Sequence, residues 1–61
     1  MNGKQVLARL KDAGWVLLRV EGSHYQMGKG GKRTSIPIHG AKDLKPGTLA
    51  AIQRQTGVML K

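Results

Sequence analysis

The stretch WVLLRVEGSHYQMGKGGKRTSIPIH, from Trp15 to His39, decides the fold. It holds three short runs rich in β-branched, aromatic and aliphatic residues, separated by glycine-bearing breaks. Residues 15–21 (WVLLRVE) read as a first strand between Gly14 and Gly22. Residues 23–27 (SHYQM) read as a second, with Ser23, Tyr25 and Met27 on one face and His24 and Gln26 on the other. GKGGK, Gly28 to Lys32, reads as a mobile glycine-rich loop. Residues 33–39 (RTSIPIH) read as a third strand. Ile36 and Ile38 point one way there, and Ser35, Pro37 and His39 the other. Pro37 has no N–H to give to a ladder, so this strand belongs at a sheet edge, or the proline faces an unpaired side.

Helical patterns flank the stretch on both sides. In residues 2–13 (NGKQVLARLKDA), Val6, Leu7, Leu10 and Ala13 form one apolar stripe. Asn2 suits the N-cap and Gly14 the C-terminal cap, while Gly3 weakens the first turn. After a loop over 40–44, residues 45–57 (KPGTLAAIQRQTG) read as a second helix, with Pro46 at its first position and Gly57 closing it. Leu49, Ile52 and Thr56 form its inner stripe, and the tail VMLK is expected to fold back on the core. The order is αβββα, an α+β domain with a three-stranded antiparallel meander and both helices on one face. Strict alternation places Val16, Leu18, Tyr25, Met27, Ile36 and Ile38 against the helices. It leaves Arg19, His24, Gln26, Arg33 and Ser35 on an open face, flanked by Trp15 and Leu17. A single bulge would invert that assignment. The topology resembles a double-stranded-RNA-binding domain, and topology alone gives no function.

Charge supplies the first functional clue. Eleven Lys and Arg against three acids give a formal net charge of +8, spread along the chain rather than gathered in a tail. A folded domain with a positive face fits, and a polyanion, above all nucleic acid, is the leading partner class. An acidic protein surface fits the same charge. There is no cysteine, so no disulfide framework and no thiolate zinc site. The chain shows no membrane span and no signal-peptide pattern, and is expected to be one cytoplasmic domain over residues 1–61.

The chemistry rests on few side chains. His24 and His39 are the only histidines, and Asp12, Glu21 and Asp43 do not cluster by spacing, so neither a metal centre nor a cofactor is expected. GKGGK lacks the Gly-Lys-Ser/Thr ending of a P-loop. Ser23 and His24 are neighbours on a strand and point to opposite faces, which disfavours a serine-hydrolase pair. His24 is the best candidate for proton transfer. RNA carries its own nucleophile, the 2′-hydroxyl. Its cleavage needs only a base, an acid for the leaving 5′-oxygen and cations for the phosphorus centre. His24 is the candidate base or acid, His39 a candidate acid if the third strand brings it near, and Arg19, Lys29, Lys32 and Arg33 candidate phosphate contacts. Ser23 is a candidate for holding a phosphate oxygen or orienting the imidazole. An isolated histidine on a sheet is more often a bystander. Trp15 and Tyr25 read as core residues before base-stacking ones.

Three pieces of the chain, in order, resemble the HicA family of bacterial and archaeal toxins. They are LKDAGWVLLRVEGSH with its Gly-Ser-His, IPIHG with its Pro-x-His-Gly, and LKPGTLAAIQRQTG with its Gly-Thr-Leu and closing Gly. Met27 stands where that family often has an aromatic residue, and GKGGK replaces a more varied hairpin. The resemblance implies metal-independent cleavage of mRNA, His24 as the catalytic residue, and a HicB-type antitoxin that covers the active site. The rival expectation is a non-catalytic module that recognises structured RNA by shape and phosphate contacts.

Overall fold

The computed structural model describes residues 1–60. Helix α1 (Gly3–Asp12) leads into strands β1 (Val16–Glu21), β2 (His24–Lys29) and β3 (Lys32–Pro37), and helix α2 (Pro46–Thr56) closes the order. The strands form one antiparallel sheet in the order β1-β2-β3, so β3, which carries Pro37, is an edge as expected. Both helices lie on one face of the sheet. Val6, Leu10, Trp15, Met27, Ile36, Ile38, Ile52 and Leu60 form the buried core between the layers.

Local sequence explains the helix ends. The Asn2 side chain accepts from the Gln5 N–H at 2.9 Å, and Gln5 Oε1 accepts from the Asn2 N–H at 2.9 Å. This reciprocal box satisfies two backbone donors that a helix start would otherwise leave open. At the other end the Trp15 N–H reaches the Leu10 carbonyl at 2.9 Å and the Gly14 N–H reaches that of Lys11 at 3.0 Å, a Schellman closure. Helix α2 has Pro46 in its first turn and ends on Gly57, as expected. The tail folds back as expected: the Leu60 N–H donates to Gln53 Oε1 at 3.0 Å, and Leu60 is buried. Lys61, the last residue of that tail, lies outside the described residues.

The first strand departs from strict alternation. Leu17 pairs with Met27, but Arg19 pairs with Gln26, so Leu18 is an unpaired bulge residue. Cross-strand partners share a face, and Met27 is fully buried. Leu17 therefore points into the core with Trp15, while Val16 and Leu18, expected inside, are 60% and 47% exposed. Beyond the bulge the expected phase returns, with Arg19 outward. Burying Trp15 and Leu17 rather than Val16 and Leu18 removes more apolar surface from water. Gly28 leaves room for the displaced leucine, since a Cβ there would meet Leu18 Cδ1 at 2.9 Å.

The loops are tighter than their glycine content suggested. Gly28 and Lys29 belong to β2 and Lys32 to β3, leaving Gly30 and Gly31 as the whole turn. Their φ values of 52° and 84° match the type I′ turn that suits the twist of a hairpin. Ser23, expected to open the second strand, is instead the second residue of the Gly22–Ser23 turn. Gly22 has φ 62° and no non-glycine residue has positive φ, the pattern of a type II′ turn.

Candidate active site

The face of the sheet away from the helices is read as rows of cross-strand neighbours. The first row is Glu21, His24 and Pro37, the second Arg19, Gln26 and Ser35, and the third Val16, Gly28 and Arg33. His24, Arg19, Arg33 and Ser35, all expected on this open face, are exposed there. His24 sits at the start of β2 because the two-residue turn ends immediately before it. The β1–β2 hairpin thereby carries the imidazole on a strand rather than on a loose loop. Arg33 lies two rows further on, about 13 Å along the strand from His24 at roughly 3.3 Å per residue.

The remaining basic candidates lie elsewhere. Lys29 and Lys32 pair with each other at the tip of the β2–β3 hairpin, in the same phase as the inward residues Met27 and Thr34. Lys29 Nζ donates to the Ala13 carbonyl at 2.6 Å, a cation at the negative end of α1. His39 lies beyond the end of β3 and lines a cleft with Pro37, Lys42, Asp43, Lys45 and Thr48. Pro37 connects the two histidines, being the cross-strand partner of His24 and part of the wall beside His39. Ser23 is half-buried, and its carbonyl accepts from the Ile38 N–H at 2.8 Å, which fastens the turn to the end of β3.

Two features escaped the sequence reading. Glu21 is directly opposite His24, and its Oε1 lies 3.4 Å from Arg19 Nε. The signal was present: a two-residue turn makes its flanking residues partners. Starting the second strand at Ser23 hid that pairing. Val16 and Leu18 form an apolar patch on the open face, taking the place expected for Trp15 and Leu17. A shallow cleft joins this patch to Lys29, Lys32 and Arg33. Among the described residues, no three of His, Asp and Glu gather as a metal site would require, and no helix is long and apolar enough to cross a membrane.

A family model described as the HicA toxin of bacterial toxin–antitoxin systems matches residues 3–58. The chain belongs to the HicA toxin family. No curated protein matches it. The matched span contains every candidate residue above, from Arg19 to His39. As a HicA toxin the chain is the toxic member of a toxin–antitoxin system, and its partner is an antitoxin.

Proposed function

We propose that this HicA toxin is a cytoplasmic endoribonuclease that cleaves mRNA with His24 as its proton-transfer group. The observation that carries the reading is an exposed histidine on the open face of a sheet in a protein of net charge +8. In this reading His24 takes the proton from a 2′-hydroxyl. The 2′-oxygen forms its bond to phosphorus, and the bond from phosphorus to the 5′-oxygen breaks. That oxygen leaves with a proton from His39 or from water. The products are a 2′,3′-cyclic phosphate and a 5′-hydroxyl. The nucleophile belongs to the substrate, so the reaction calls on no metal and no cofactor.

Arg19 and Arg33 contact phosphates on the face that carries His24, with Ser23 beside it. Lys29 and Lys32, in the opposite phase at the hairpin tip, add positive charge beyond the edge of that face. A HicB-type antitoxin covers this face. Val16 and Leu18, apolar among cations, suit a protein surface better than an RNA backbone. The test is the end groups of RNA fragments made by purified toxin in EDTA. Cyclic phosphates with 5′-hydroxyls are expected. Fragments with 5′-phosphates would overturn the mechanism, and RNA bound but uncut would favour a non-catalytic RNA-binding module.

A further inference from the structure

We infer that Glu21 is the positioning residue for His24. This inference rests on the reading of His24 as the proton-transfer group. The Gly22–Ser23 turn leaves Glu21 and His24 as its first cross-strand pair. Directly opposed residues on one face have Cβ atoms about 4.5–5.5 Å apart, within reach of a carboxylate and an imidazole. Glu21 is also held from its other side, by Arg19 Nε at 3.4 Å from Oε1. Oε1 is the oxygen that faces Arg19, and side-chain rotation within the pair would bring the carboxylate to the imidazole.

The charged groups facing His24 across this row and the next are Glu21 and Arg19, both from β1. From β3 the neighbours are Pro37 opposite and Ser35 on the diagonal, neither of which titrates in the neutral range. Glu21 is therefore the acceptor placed to fix the ring. A carboxylate that accepts from one imidazole nitrogen selects the tautomer in which the other is free to take a proton. It also stabilises the imidazolium formed when that proton is taken. Arg19 gains a second role, holding Glu21 while its remaining donors face the phosphate.

The experiment compares parent, Glu21→Gln, Glu21→Asp and His24→Ala toxins on a single-stranded RNA oligonucleotide. It also records ¹⁵N spectra of the imidazoles without RNA, assigned with His24→Ala and His39→Ala. Glu21→Gln is expected to lower kcat about tenfold with KM changed less than twofold, and to shift the tautomer balance of His24. Glu21→Asp, which keeps the charge on a shorter arm, is expected to recover part of kcat. The Glu21 side chain is about half exposed, so the variants should fold, and the spectra report on that directly. If His24→Ala is inactive but Glu21→Gln changes neither kcat nor the His24 signals, the inference about Glu21 fails alone. If His24→Ala cleaves like the parent, both readings fall.

Discussion

Replacing Gly3 by alanine sets helix propensity against packing, and the structure says which wins. By propensity the change helps: glycine is about 1 kcal/mol worse than alanine in a helix interior and less than that in a first turn. By packing it harms. A Cβ on Gly3 would lie 2.6 Å from Ile38 Cγ1, 2.8 Å from the Pro37 carbonyl oxygen and 3.1 Å from Ile38 Cα. Carbon atoms in good contact sit about 3.5–4.0 Å apart. Two of these neighbours are backbone and cannot rotate aside, so α1 must lift from the end of β3. Overpacking of this kind costs about 1–3 kcal/mol. With backbone as the obstacle the upper half of that range applies, for a net loss of about 1–2 kcal/mol after the propensity gain.

A chain of this size has roughly 3–9 kcal/mol in total, so the loss is substantial. It corresponds to a fall in Tm of about 4–16 °C. Gly47→Ala, in the first turn of α2 with nothing within 4 Å of its new Cβ, is the control. It should stabilise by about 0.4–1 kcal/mol. Thermal melts followed by circular dichroism compare the three proteins. A Gly3→Ala protein as stable as the parent would refute the close seating of α1 on Pro37 and Ile38. That seating bears on the site, since Pro37 is the cross-strand partner of His24.

Two further contrasts test the geometry. Leu18→Lys should change stability by less than about 0.5 kcal/mol, because the bulge leaves Leu18 outside. Leu17→Lys should cost about 2 kcal/mol or more, because Leu17 packs on the core; urea titrations giving equal losses would contradict the bulge. Lys29→Met should cost about 0.3–1 kcal/mol by removing a cation from the end of α1. Lys32→Met, at the paired position, should melt with the parent, and equal shifts for the two lysines would speak against that contact.

The architecture was legible because each element carries its own punctuation. Asn2, Gly14, Pro46 and Gly57 mark helix ends by backbone chemistry that acts within a few residues, and all four act where expected. Glycine-bearing breaks and β-rich runs likewise marked three strands. The faces of the first strand were not legible, because a bulge is a relation between two strands. Nothing in WVLLRVE by itself shows that Leu18 will lack a partner. The outcome depends on the volume of Trp15 and on the gap left by Gly28. The same limit hid Glu21, whose importance comes from pairing across a turn rather than from its neighbours in sequence. His24 was legible because its outward phase follows from Met27, a fully buried residue three positions further along the same strand and so on the opposite face.

The central claim is that an exposed imidazole at residue 24 moves the proton in RNA cleavage. The rate of mRNA cleavage by His24→Ala, measured against the parent in EDTA, tests it most directly. A positioned histidine contributes about 10²–10⁴-fold, so the variant should lose at least two orders of magnitude while its melt and its antitoxin binding stay near those of the parent. Cleavage by His24→Ala at the parent's rate would contradict the account.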